Sequence, residues 1–288
     1  MSDAVLAALL GLLTALCFGL GSFAGQRLTA RLGWLRAAWV GQASALPLVA
    51  AAALVLDGAP ERSPALWHAL GLGLLNVLSV IALYRAFAAG ALAIVAPISS
   101  SYAAVTVALA FIAGEPPSLA LTAGLVAVVA GVAVVAAVRG GDGDGGGSRT
   151  AGVAWAGLSS LCFGAVFFWL EPVSGELGPV WPIALMRASG VAALGALRGA
   201  LGPVKPGRVP ALLLAACVVL DTGGLLFYSL GVRLGGAAVL TVLASLSSVV
   251  AVLLGRMRLG ERLATGQWIG VGLVLAGTAW ISYCSHLE

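Results

Sequence analysis

The side chains able to do chemistry in this sequence are few, and they stand out because their surroundings are apolar. Asp221 is the sharpest, set in Cys217-Val218-Val219-Leu220-Asp221-Thr222-Gly223-Gly224. A carboxylate inside an apolar run costs several kcal/mol unless it meets a wet cavity, finds a partner or takes up a proton. Each outcome suits proton coupling or cation binding. The plainer reading has the carboxyl bonded to Thr222 or another hydroxyl, fixing helix packing. Glu171 stands just before Pro172 and reads as the solvated end of a helix. Arg36 and Arg187 begin apolar stretches, where a long side chain snorkels to headgroups; Arg187, deeper in its stretch, is the exception to watch.

A second group is neutral. Pro97-Ile98-Ser99-Ser100-Ser101-Tyr102 places a proline and three hydroxyls inside one apolar run. Proline removes a backbone donor, and such a break is tolerated in lipid where neighbours or a water-lined cavity satisfy the freed groups. Ser245, Ser247 and Ser248 answer it late in the chain. These hydroxyls either meet a substrate or bond back to their own helix. Tyr84, Tyr228, Phe18, Phe163 and Trp169 offer faces for an organic molecule, with core or lipid packing the plainer role of each.

No enzyme site emerges. His68 and His286 share no metal-binding spacing, and the chain lacks GxxxxGK[ST], so no cofactor, metal or nucleotide is expected. Cys17, Cys162, Cys217 and Cys284 lie in apolar runs without a CxxC pair and read as small packing residues. Transport, if the chain performs it, runs on an ion gradient or on the substrate's own gradient.

The elements that hold these residues follow from composition. Of 288 residues 61% are apolar and 9% charged, far below the roughly 25% of a soluble domain. The solvent is therefore lipid, and the modest net charge of +4 suits anionic headgroups and not nucleic acid. The start, Met1-Ser2-Asp3, lacks a basic n-region, so the first apolar run is expected to stay as a helix. Runs of about 18–25 apolar residues predict spans near 4–25, 34–56, 66–88, 90–112 and 118–138, then 151–171, 179–198, 209–232, 235–256 and 264–285. The chain is thus an all-α, multi-pass membrane protein with two five-helix units, 1–138 and 151–288. Residues 139–150, rich in glycine, form the expected flexible linker.

The two units repeat one another. Leu16-Cys17-Phe18-Gly19 recurs as Leu161-Cys162-Phe163-Gly164, 145 residues on; Gln26 then matches Glu171, and Asn76 matches Asp221. Gly114-Glu115, Gly124 and Gly131 recur 146 residues on at Gly260-Glu261, Gly270 and Gly277, and the same step sets Leu243 against Pro97. An odd number of spans per unit makes the second unit enter from the opposite face, so the repeats are inverted. Inverted repeats place a binding site near the midplane between them. Glu115 and Glu261 read as carboxylates at helix N-termini, and Gly270, Gly272 and Gly277 as close-packing ridges, within one subunit or between the two of a homodimer.

With Ser245 to Ser248, Leu259-Gly260-Glu261-Arg262-Leu263, Gln267 and Gly270 in the second half, and Pro97, Gly114-Glu115 and Gly131 in the first, the sequence resembles EamA-type members of the drug/metabolite transporter superfamily. The resemblance implies a ten-helix carrier of small metabolites, often an exporter, with a cavity lined by helices 1, 3, 4, 6, 8 and 9. It also implies cytoplasmic termini. The charges imply the reverse: loops after odd-numbered spans hold twelve of the fifteen Lys and Arg residues, which puts those loops inside and the termini outside. The leading functional reading is a secondary-active exporter in the cell membrane whose partners are a small-molecule substrate and lipid. The alternative is a non-transporting scaffold or sensor that keeps the fold.

Overall fold

In a computed structural model, residues 3–60, 62–114, 119–137, 146–197, 210–260 and 264–285 are described. Among them the chain forms eleven helical segments. The first unit holds α1 (Asp3–Leu32), α2 (Trp34–Leu56), α3 (Ala65–Ala89), α4 (Leu92–Ser100), α5 (Tyr102–Ile112) and α6 (Leu119–Ala137). The second holds α7 (Gly146–Leu177), α8 (Trp181–Ala196), α9 (Ala211–Ser245), α10 (Ser247–Leu259) and α11 (Thr265–Ser285). Helix is forced here because lipid offers backbone groups no partner. Large apolar residues stay exposed along the outside; Leu9, Leu12, Leu13 and Leu16 on one face of α1 are examples. These are lipid-facing stripes.

Segments and crossings differ in number for two physical reasons. The fourth crossing is α4 plus α5, interrupted at Ser101, whose amide reaches only three residues back to Ile98 O at 3.2 Å. The ninth breaks the same way at Leu246, bonded to Leu243 O at 3.1 Å, and the bonds Ala104 to Ser101 and Val249 to Leu246 complete the match. These pairs all differ by 145. The register therefore still runs at 145 here, and Pro97 corresponds to Val242, not Leu243. The added residue enters the second repeat after Val250. The ninth span thus breaks without a proline.

The second reason is a reversal inside α9. On a straight helix thirteen residues cover about 20 Å, yet Tyr228 Oη and Thr241 Oγ1 lie 2.7 Å apart. The chain turns back between them, so α9 supplies the eighth crossing and the start of the ninth. Among the described residues the count is ten crossings, five in each unit. Boundaries moved outward in places: α7 begins at Gly146, inside the expected linker, and runs past Pro172 to Leu177. Glu171 therefore does not end its helix. Residues 138–145, Glu115 and Glu261 lie outside the described residues.

Repeat-related contacts occur in pairs. A Cβ on Gly19 would lie 2.5 Å from Val250 Cβ, and one on its mate Gly164 would press as closely on Val105 Cβ. Likewise Gly131 meets Gly270 O at 2.7 Å while Gly277 meets Gly124 O at 2.8 Å. The reciprocity is what a two-fold axis between inverted repeats produces. It places the Gly131 and Gly277 ridge inside one chain, where α6 crosses α11. Similarly α2 packs on α8, and α4 on α10.

Candidate functional site

Each helix around the midplane offers one stripe at three- and four-residue spacing, the rows that share a helix face. From α1 come Phe18, Gly21, Ser22 and Gly25; from α3, Asn76, Val80, Leu83, Tyr84 and Phe87; from α9, Cys217, Asp221 and Leu225. Ala96, Ser99 and Ser100 of α4, Tyr102 of α5, Phe163 and Phe167 of α7, and Ser247 of α10 close the ring. They surround a cleft with about 790 Å³ of empty space, its mouth included. The cavity proper is about 90 Å³, well below the roughly 300–1,000 Å³ of small-ligand pockets, so an organic metabolite enters only as the walls move apart.

The cleft is asymmetric across the membrane. Its residues sit mostly in the later half of α1 and α3, the earlier half of the fourth crossing (α4 plus α5) and the earlier half of α9. That half faces the loops following odd-numbered spans. Beneath it lies an aromatic floor centred on Phe167, whose ring is 4.6 Å from Tyr228, 4.8 Å from Tyr102, 6.0 Å from Phe163 and 6.1 Å from Phe18. Tyr228 is fully buried and bonds Thr241. Past the floor, Ser174 and Ser229 meet at 3.0 Å. At the opposite surface Asp57 Oδ2 accepts from the amides of Val180 and Trp181 at 2.8 and 3.2 Å. Trp181 Nε1 donates to Gly58 O and Ser63 Oγ to Glu176, both at 2.8 Å. The even-loop half is closed at its surface by the bonds of Asp57, Gly58 and Ser63 to the second repeat.

Asp221 finds its partner in Arg187, whose Nη2 donates to Oδ2. The arginine side chain is 3% exposed while the aspartate side chain is 47% exposed, facing the cleft. Arg187 Nη1 also donates to Gln42 Oε1 at 2.7 Å. Gln42 and Arg187 differ by 145, so they are repeat mates meeting across the two-fold axis. Expected headgroup snorkelling by Arg187 is thus replaced by burial, and its counterpart in the first repeat is Gln42. Thr222 Oγ1 has no partner, so it does not hold the Asp221 carboxyl.

Of the residues singled out in the sequence, Asp221, Asn76, Tyr84, Ser99, Tyr102 and Phe163 line the cleft, together with Phe18, Ser100, Arg187 and Ser247. Six lie elsewhere. Ser101 donates to Ile98 O at 2.7 Å and lies 2.9 Å from Ser160, tying the break to α7. Ser245 is buried, and Ser248 donates to its carbonyl at 2.8 Å. Tyr228 belongs to the floor. Trp169 is 54% exposed and edges Phe168, and Glu171 is exposed on the same helix. Gln42, Phe167 and Ser22 carry no mark of their own in the sequence, and Arg187 reads there mainly as a group serving lipid. The 145-residue step from Gln42 to Arg187 is the signal that could have joined them.

Comparison with known proteins agrees with this architecture. The EamA-like transporter family matches twice, over residues 5–137 and 150–283. Among solved structures, a crystal structure of a protein without a stated activity superposes with a TM-score of 0.70 at 18% identity, covering 100% of this chain and 99% of that one. That likeness shows the fold alone. No curated protein matches the sequence. With two family repeats spanning nearly its whole length, the chain belongs to the EamA-like transporter family, within the drug/metabolite transporter superfamily.

Proposed function

We propose that the chain is a secondary-active transporter of the cell membrane that exports a small organic metabolite or drug-like compound by alternating access. The observation that carries this reading is the midplane cleft between inverted repeats, closed toward one face, with the Arg187–Asp221 pair on its wall. A fixed pair at the site where the repeats rock can report occupancy to both halves. Asp221 is the coupling group: it reaches the cleft, and losing its charge to a proton releases Arg187. Export is the direction that the family favours.

The test is thermal stabilisation of the detergent-purified protein against metabolites and drug-like compounds at two pH values. A ligand binding only the folded state raises stability by RT ln(1 + [L]/Kd), about 2.7 kcal/mol at a hundredfold excess. The expected result is a hit whose pH dependence disappears in Asp221→Asn. A blank result with folded protein favours the scaffold alternative.

A further inference from the structure

Three side-chain donors lie buried without partners at and behind the cleft wall. Arg187 Nε, Gln42 Nε2 and Asn76 Nδ2 are all buried without a partner. The residues themselves are 2%, 1% and 2% exposed. Gln42 must present its oxygen to Arg187, because a guanidinium only donates, so its amide nitrogen is the group left over. A buried unpaired donor costs about 1–3 kcal/mol. Two of the three belong to residues of the cleft, where an acceptor would satisfy them. Arg187 and Asn76 both line the cleft, and the remaining walls combine the rings of Phe18, Tyr84, Phe87, Phe163 and Phe167 with aliphatic groups and the hydroxyls of Ser22, Ser99, Ser100 and Ser247.

The single anion within reach is Asp221, and it is the loose member of the pair. Its carboxylate is half exposed to the cleft, while the guanidinium is buried and braced by Gln42. We infer that the cleft takes an organic carboxylate with an apolar or aromatic body, bound to Arg187 and Asn76 in the place that the Asp221 carboxylate occupies in this structure. The guanidinium forks onto a carboxylate with two parallel bonds, a match that a neutral amide lacks.

Charge balance then fixes the companion. Among the described residues, the cleft is lined by one cation, Arg187, and one anion, Asp221. A bound carboxylate adds a second anion to a low-dielectric site, which the displaced Asp221 relieves by taking a proton. The titratable or charged groups facing Asp221 are Arg187 from α8, Tyr84 from α3 and Cys217 one turn before it on α9; Tyr84 Oη and Cys217 Sγ bond each other at 3.6 Å. Neither neutral group supplies the positive charge needed. The carboxylate and one proton therefore travel together, moving no net charge.

This rests on the transporter reading, and one set of probes separates the two. Binding of 3-phenylpropanoate, 3-phenylpropanamide and 3-phenylpropylamine to the purified full chain is measured between about pH 6 and 8, where the acid is ionised. The carboxylate is expected to bind at least about tenfold more tightly than either analogue, with affinity falling toward tenfold per pH unit as pH rises. Asp221→Asn, locked uncharged, should hold the carboxylate without that pH dependence, and Arg187→Gln should lose the preference for it. Equal binding of the amide, preference for the amine, no binding of any probe, or affinity for the acid indifferent to pH overturns the proposal. Proteoliposomes give the second readout. A carboxylate that binds but does not cross leaves the site standing and removes the transporter reading. Flux of the amine without the acid does the opposite.

Discussion

Arg187 and Asp221 show how a charge pair survives in a membrane. The guanidinium is buried among helices, and its two Nη groups are satisfied by Asp221 and Gln42. Removing one member of a fully buried pair costs roughly 3–5 kcal/mol because the other is stranded. Asp221 is half exposed to the cleft, so Asp221→Ala should cost less, about 2 kcal/mol, in a reversible unfolding assay in detergent. The double variant Asp221→Ala, Arg187→Leu should lose less than the sum of its parts, since the stranded charge is gone. Additive losses would show that the pair does not interact. Asp221 was legible in the sequence because a carboxylate inside a span demands an explanation. Its partner was not, because Arg187 near the start of an expected span is equally well served by headgroups. Phe167 and Trp169 make the same point: on helices apolar all round there is no polar face to set the phase. Sequence therefore could not say that Phe167 points into the cleft while Trp169 points out.

Broken helices and cross-repeat contacts position the site. The matched interruptions at Ser101 and Leu246 show that proline is not what breaks the ninth span, although Pro97 alone was visible as a breaker. Gly131 and Gly277 permit the α6–α11 crossing, since a Cβ on either would sit 2.7–2.8 Å from a facing carbonyl oxygen. Gly131→Ala and Gly277→Ala should each destabilise by about 1–3 kcal/mol, and by similar amounts because the contacts are reciprocal. Gly272→Ala, with nothing within 4 Å, should be near neutral; a larger loss there would contradict this packing. Asp57 caps α8 from the other repeat, with Gly178 (φ +82°) bringing the chain close against its carboxylate. Loss of such a cap costs about 1 kcal/mol. Asp57→Ala should therefore lower thermal stability and increase labelling of a cysteine placed at Ser63 by a membrane-impermeant thiol reagent, in a background lacking the native cysteines. Unchanged labelling would show that the cap does not hold that surface closed.

Two-fold inversion is the property of the whole molecule that sequence revealed most fully. An odd span count per repeat and a step of 145 residues, 146 late in each repeat, were enough, and Gly19–Val250 with Gly164–Val105 realise it in three dimensions. Orientation rests on charge alone. Arg85 lies between the indoles of Trp34 and Trp155, 4.6 and 4.3 Å from their centroids, and Arg256 lies 5.3 Å over Trp268. All of these sit at the odd-loop face, the pattern of an interfacial belt. If that face is cytoplasmic, reporter fusions at both termini read as external and the cleft opens to the cytoplasm; cytoplasmic reporters at both ends would reverse the assignment. The central claim is that the cleft couples movement of an organic solute to protons through Asp221. Its most direct test is uptake of a ligand identified by thermal stabilisation into proteoliposomes under an imposed pH gradient. The account predicts transient accumulation above the external concentration, abolished by a protonophore and reduced in Asp221→Asn to binding or simple equilibration. Accumulation unaffected by the gradient, or undiminished in Asp221→Asn, would contradict it.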